Sequence, residues 1–227
     1  VLAGLLGYAA YRSIPMPPAH DYLGSFQDTD GTLFAQRPEA SRYKLLTFGY
    51  TSCADVCPTT LLKLHQVLQA LGRQGNEVAV VFVSTEPGID TPERMSAFLG
   101  AFDRQVIGLR GSPANLEAVA RDLSPETAEA LAHGRQRAHS GMIYLLRPDN
   151  SQLAIYSPTE AAGDIVKSLS ARLLRSSLDA DAGDATAQFA LGTVLARQQR
   201  WAEAQHAFFR ARSLATASAS RASQARW

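Results

Sequence analysis

At 227 residues the chain is long enough for one sizeable core with a small appendage. Its 22 basic and 21 acidic residues leave a formal net charge of +1, which supplies no electrostatic reason for a nucleic-acid partner. Two cysteines exclude a disulfide scaffold of the small secreted kind, and alone they cannot fill a four-ligand structural zinc site.

The opening segment VLAGLLGYAAYRSI is apolar from Val1 to Tyr11, shorter than the roughly 20 residues that span a bilayer. It has no initiator Met and reads either as the end of a longer transmembrane or signal segment, or as a short amphipathic terminus. The PMPP that follows suits an extended tether and favours the first reading. The expectation is an exported protein anchored to the membrane through this segment.

DYLGSFQDTDGTLFAQRPE carries turn signals, notably Asp30-Gly31, and predicts a hairpin or an irregular cover. Tyr43 to Tyr50 is a short, nearly unbroken apolar run, the pattern of a strand buried on both faces. TTLLKLHQVLQALG then places Leu61, Leu62, Leu64, Val67, Leu68 and Leu71 at helical spacing, with Gly72 as a stop. Glu77 to Thr85 is the clearest buried strand. Thr91-Pro92 and Ser112-Pro113 each open a helix with a cap residue followed by Pro, on either side of the strand VIGLRG. SGMIYLLRPDNSQLAIY predicts two strands around the turn Pro148-Asp149-Asn150-Ser151, and Thr159 to Leu174 is helical.

This order indicates an α/β sheet with helices on both faces. A β-α-β start, a terminal β-β-α and cysteines directly after the first core strand point to a thioredoxin-like fold. Beyond Arg175 the composition shifts to Ala, Gln and Arg. Two short helical patterns flank Gln199-Arg200, and the spacing of Leu191-Gly192, Ala204, Phe208 and Ala211 resembles a single tetratricopeptide repeat. One such repeat cannot bury its own faces, so it predicts packing on the main domain, on another copy or on a partner. The organisation read from this pass is anchor end and tether at 1–20, a thioredoxin-like domain at 21–175, a C-terminal α-helical hairpin at 176–216 and a disordered tail at 217–227.

FGYTSCADVCPTTLLKL holds both cysteines, Cys53 and Cys57, at the strand-to-helix junction. A thiolate attacks disulfides and binds metals, and a helix N-terminus favours the anion. Pro58 lacks an N–H and disfavours helical geometry at the residue before it, which predicts a helix starting at Pro58 with Cys57 as its cap. Three residues separate the cysteines, against two in thioredoxin-type catalysts. That span closes a disulfide, and it also lets two sulfurs flank one soft ion, Cu(I) being the match for two thiolates plus an imidazole. An inert local bridge is the third alternative.

Five histidines are candidate third ligands. His65 lies in the apolar helix pattern, His20 in the tether, His206 on the repeat and His133 in a polar loop. His139, in RAHSGMIYLL, precedes a core strand whose end, in a thioredoxin-like sheet, lies beside the cysteine loop. On spacing it is either a ligand or a plain pre-strand residue.

Taken together, FGYTSCADVCPTTL, VVFVSTEPGIDTPERMSAFL and Arg-Ala-His139-Ser followed by MIYLLRPDNSQL resemble, in order, the motifs of the Sco/SenC family over about Asp21 to Leu174. The resemblance implies copper, as Cu(I) or Cu(II), held by Cys53, Cys57 and His139. It implies delivery of that copper to the dinuclear copper site of cytochrome c oxidase subunit II, or reduction of that site's thiols by the Cys53/Cys57 redox pair. It also implies a membrane-tethered protein, here a bacterial inner-membrane one with its domain in the periplasm. Three departures stand out: Ala54 replaces a usual Pro, Glu86 replaces the usual Asp of the D-P segment, and SPETAEALAHGRQRA reads as helical or irregular where the family continues with a strand and loop. The helical repeat is outside the family pattern and implies a further protein partner.

Overall fold

The computed structural model describes residues 21–103, 105–134, 141–180 and 184–224. Five strands and seven α-helices are described, in the order β1 (Tyr43–Gly49), α1 (Val56–Leu71), β2 (Val78–Ser84), α2 (Pro92–Gly100), β3 (Val106–Leu109), α3 (Pro113–Leu123), α4 (Pro125–Ala132), β4 (Ile143–Leu146), β5 (Gln152–Tyr156), α5 (Ala162–Ala180), α6 (Ala185–Arg197) and α7 (Trp201–Gln224). By spatial contact they divide into two compact units. One takes the chain up to Leu62 together with Glu77–Pro158, and the other takes Lys63–Asn76 and the chain from Thr159.

The first unit is built on a sheet of order β3-β2-β1-β4-β5. β1, β2 and β3 run parallel, in register from Tyr43↔Val78 to Gly49↔Ser84 and from Val80↔Val106 to Val83↔Leu109. β4 is antiparallel to β1, and β5 closes a hairpin on β4. Every residue of β1 and β2 is buried, which is why these strands read as unbroken apolar runs. The edge strand β5 is partly exposed and reads more weakly. This is the thioredoxin-like arrangement expected from the motif order.

Alternation along the strands gives the sheet two covered faces. Leu46, Phe48, Val81, Ile107 and Tyr144 form one core cluster with Leu116 and Val119 of α3. On the other face Phe82 of β2 packs with Met95 and Leu99 of α2, Leu61 of α1 and both cysteines. A fully buried Phe of this kind stabilises the fold by about 1.5–3 kcal/mol.

Both Pro-initiated helices start as predicted. Thr91 Oγ1 accepts the Arg94 N–H at 3.3 Å, and Ser112 Oγ accepts the Asn115 N–H at 3.2 Å. The segment before β1 combines both predicted forms: short 3-10 turns at Asp21–Leu23, Phe34–Gln36 and Pro38–Ser41, and a single bridge between Gln27 and Leu33. The hairpin turn is as read, with Asn150 at φ 66°. α4 makes the Pro125 segment helical before the residues leading to β4.

In the second unit Leu174 and Leu178 of α5 pack with Leu191 and Leu195 of α6 and Ala204 and Ala207 of α7. α5 runs unbroken across Arg175, where the composition changes. Small residues set the α6–α7 approach: a Cβ at Gly192 would stand 2.6 Å from the Phe208 ring. α7 continues to Gln224, so residues 217–224 are helical where a disordered tail was expected. Ala, Ser, Arg and Gln without Gly or Pro let the helix propagate. Among the described residues no helix is long and apolar enough to cross a membrane. The anchor and tether read over residues 1–20 lie outside the described residues.

Candidate metal centre

β1 ends at Gly49, and the chain turns through Tyr50 to Ser52 before the cysteines. The Cys53 N–H donates to the Tyr50 carbonyl at 3.2 Å, closing that turn. α1 then begins at Val56, two residues earlier than Pro58 had suggested, so Cys57 lies in its first turn and is not the cap. The Thr59 N–H and hydroxyl both bond the Asp55 carbonyl, at 3.2 and 3.0 Å, which nucleates the helix ahead of the proline. Pro58 is tolerated because first-turn N–H groups have no partner within the helix in any case.

This earlier start aims the helix N-terminus at one sulfur. The Cys57 N–H donates to Cys53 Sγ at 3.4 Å. Both cysteines are free thiols, 8% and 3% exposed. Burial by itself would raise the Cys53 thiol, but N–H groups of Cys57, Asp55 and Val56 and the Cys57 thiol together hold it below its ordinary value of 9.0. Burial pushes Cys57 up, only partly offset by the Tyr50 N–H, and the neighbouring Cys53 and Asp90 charges push it further. The pair is thus asymmetric: Cys53 is the more acidic thiol and Cys57 the one that holds its proton more tightly.

Gly49 is what lets Cys57 sit against the strand end. A Cβ there would meet Cys57 Sγ at 2.6 Å and the Phe82 ring at 2.6 Å. The Gly49 carbonyl is in turn held by the Thr85 N–H at 2.8 Å and its hydroxyl at 3.2 Å.

Asp90, fully buried, ties this loop to the one after β2. Its Oδ1 accepts the Thr51 N–H at 3.1 Å and the Thr51 hydroxyl at 2.5 Å, and its Oδ2 accepts the Ser84 hydroxyl at 2.6 Å. Glu86, which replaces the usual Asp of the D-P segment, is 5% exposed and turned inward; its carbonyl accepts the Ile89 and Asp90 N–H groups. Sequence reading did not single out Gly49, Thr51 or Asp90. The Gly that ends an otherwise largely apolar and aromatic run was the available signal.

Among the described residues no group of three His, Cys, Asp or Glu side chains is gathered for a metal ion. His139 lies outside the described residues, in the segment 135–140. The chain resumes at Gly141, φ +64°, where a Cβ would stand 2.5 Å from Val56 Cγ1, inside the Cys53–Cys57 loop. The Thr47 hydroxyl donates to the next carbonyl, Met142, at 3.1 Å. His133 is exposed with Nδ1 2.7 Å from the Glu129 carbonyl, His206 is exposed on α7, and His65 is half-buried on α1. His20 also lies outside the described residues. Chemically the described site offers one thiol of lowered pKa, one of raised pKa and low exposure, which suits a soft cation or thiol exchange.

The sequence profile of the SCO1/SenC family matches residues 17–174. The chain is 29% identical over 135 residues to the mitochondrial protein SCO1 homolog 1 of Arabidopsis thaliana, covering 56% of this chain and 39% of that one. It is 30% identical over 150 residues to the mitochondrial protein SCO2 homolog of Bos taurus, covering 64% and 56%. The match therefore spans between about two fifths and three fifths of these relatives' own lengths. The crystal structure of Arabidopsis thaliana ScoI with copper bound shares the fold, with a TM-score of 0.54 and 24% identity over 67% of this chain and 96% of that one.

Proposed function

The chain belongs to the SCO1/SenC family, and from that premise we propose that it is a metallochaperone that binds one copper ion and passes it to the dinuclear copper site of a subunit II-like copper oxidase. The observation that carries this reading is the pair of buried free thiols at the start of α1, one sulfur of which accepts the Cys57 N–H at 3.4 Å. Two sulfurs spaced by three residues suit Cu(I), which prefers soft ligands at low coordination number. His139 supplies the third ligand in this reading. The approach of Gly141 to Val56 supports it by bringing the chain two residues after His139 against the cysteine loop. Copper bound in the Arabidopsis ScoI structure supports the choice of metal.

Within the same proposal the domain is periplasmic and tethered to the inner membrane by the N-terminal segment. The α6–α7 hairpin is tetratricopeptide-like and carries a protein contact through exposed Phe189, Trp201 and Phe209. Truncation after Arg175 tests that contact, because unchanged solution mass and partner capture would remove it.

The copper proposal is tested by titrating the reduced full chain with Cu(I) against a competing chelator. One equivalent is expected, abolished in Cys53→Ser or Cys57→Ser and weakened in His139→Ala. Full affinity in His139→Ala would sink the three-ligand site.

The unequal acidity of the two thiols favours a second reading, a thiol-disulfide reductase for partner cysteines. The Cys53 thiolate attacks a partner disulfide and one partner thiolate leaves. Cys57, giving up its proton, then displaces the second. The chain ends as a Cys53–Cys57 disulfide and the partner as a dithiol, two electrons having moved to it. In this reading His139 is dispensable. A dithiol potential too high to reduce a subunit II disulfide would remove it.

A further inference from the structure

The connections after β2 and β3 leave the sheet on opposite faces. α2 follows β2 and packs Met95 and Leu99 against Phe82, whereas α3 follows β3 and packs Leu116 and Val119 with Val81 and Ile107. Where neighbouring parallel strands send their chains to opposite sides, a crevice opens outside their carboxyl ends, the usual location of ligand sites in open α/β sheets. Here that crevice is an open groove of about 480 Å³ walled by Pro87-Gly88 and by Gly111 to Pro113, with Ser25, Gln27 and Asn115 at its rim.

Among the described residues that line it, Arg110 is the single charged one. Its backbone is clamped, its N–H donating to the Gln27 carbonyl at 2.8 Å and its carbonyl accepting the Gln27 N–H at 2.9 Å. Its Nη2 donates to the Pro87 carbonyl at 2.8 Å. Nε is buried and finds no acceptor, so the hydrogen-bonding capacity of this half-buried guanidinium is only partly used. No described carboxylate forms an ion pair with it, and the fully exposed Glu93 senses its charge only at a distance. Two hydroxyls share the groove. Ser25 Oγ accepts from Asn115 Nδ2 at 2.9 Å and Ser112 Oγ accepts from the Asn115 N–H, which leaves both hydroxyl hydrogens to donate. A partly desolvated cation beside two hydroxyl donors, with no lining acid, is complementary to a carboxylate, which Arg binds in a two-pronged geometry.

The groove also neighbours the thiols through one connection. Its wall Pro87-Gly88 belongs to the loop that presents Asp90, and Asp90 binds Thr51 at the entry to the cysteine loop. We propose that the Arg110 groove docks an acidic side chain of the protein that exchanges metal with Cys53 and Cys57. This rests on the copper-transfer reading above. The groove is open along one side, which suits a side chain on a protein surface, and a docked acid there orients the partner toward the end of the sheet that carries the thiols.

The test uses the reduced, ¹⁵N-labelled full chain and two blocked peptides, Ac-Ser-Glu-Glu-Ser-NH₂ and its Gln-Gln counterpart. Saturable shifts of the Gly88, Gly111 and Ser112 amides are expected with the Glu peptide and not with the Gln peptide. Arg110→Gln is expected to weaken binding about tenfold, the scale of one charge-assisted hydrogen-bonded pair. Absence of saturable shifts, equal shifts with both peptides, or undiminished affinity in a folded Arg110→Gln variant would each overturn the proposal. Should that variant fail to fold, salt dependence of the wild-type titration decides, and binding insensitive to salt overturns it. Cu(I) stoichiometry measured on the same sample separates the two readings. Normal copper binding without peptide binding removes the groove alone, and absent copper binding removes the reading on which it rests.

Discussion

Asp90 Oδ1 accepts two hydrogen bonds from Thr51, one from its N–H and one from its hydroxyl, across 39 residues of sequence. A carboxylate that is wholly buried and holds three donors, two from Thr51 and one from Ser84, is a structural tie between the turn preceding Cys53 and the end of β2. Replacement by Ala leaves the buried Ser84 hydroxyl and the half-buried Thr51 donors without this acceptor. Asp90→Ala is expected to lose about 2–4 kcal/mol and Thr51→Val about 1 kcal/mol, read by urea denaturation. Asp90→Asn, which keeps an acceptor toward Thr51, should fall between wild type and Ala. Equal stability of Asp90→Ala and wild type would show that the tie is not needed.

The asymmetry of the thiols predicts an order of reaction. At a pH below the ordinary thiol value of 9.0, iodoacetamide is expected to alkylate Cys53 ahead of Cys57. Peptide mass spectrometry over a time course reads this directly. In Cys53→Ser the remaining Cys57 should stay resistant until the pH is raised well above that value. Labelling of Cys57 first would reverse the assignment of thiolate and resolving thiol.

Gly49→Ala places a methyl where Cys57 Sγ and the Phe82 ring already lie 2.6 Å from the Cβ position. Since β1 is central in the sheet, the backbone has little room to yield, and the sulfur must move. The expected cost is about 1–3 kcal/mol, with a loss of Cu(I) affinity that exceeds what the stability change explains. A variant with unaltered copper affinity would show that the sulfur relocates freely.

The pH dependence of folding is expected to show the Asp28–Arg37 pair. Burial opposes ionisation of Asp28, yet the N–H groups of Thr32 and Asp30 and the Arg37 guanidinium hold its carboxyl below the ordinary 3.8. A carboxyl depressed in the folded state contributes stability that is fully present above its unfolded value and is lost as pH falls through the folded one. Arg37→Met is expected to remove about 1–3 kcal/mol at neutral pH. The difference from wild type should shrink as the solution is acidified below pH 3.8. A constant difference across that range would argue for lost packing alone.

What could be read along the chain was whatever depends on near neighbours. Unbroken apolar runs marked β1 and β2 because a central parallel strand is buried on both faces. Thr91-Pro92 and Ser112-Pro113 marked helix starts because capping is settled within four residues. The cysteine spacing and its place after the first core strand marked the loop in which the two free thiols meet. The start of α1 was misplaced by two residues, because the Asp55 carbonyl and the Thr59 hydroxyl outweighed the bias against helix before Pro58.

The tertiary structure decided what depends on segments brought together by the sheet. The two thiols are nearly equivalent in sequence, and they diverge only because α1 aims its N–H groups at Cys53 while Cys57 is buried against Gly49 and Phe82. The Asp90–Thr51 tie and the Arg110 groove need β2 between β1 and β3, with helices leaving on opposite faces. Composition and periodicity are short-range properties. Desolvation and hydrogen bonding between loops are set by strand order, and they determine which sulfur is the more acidic.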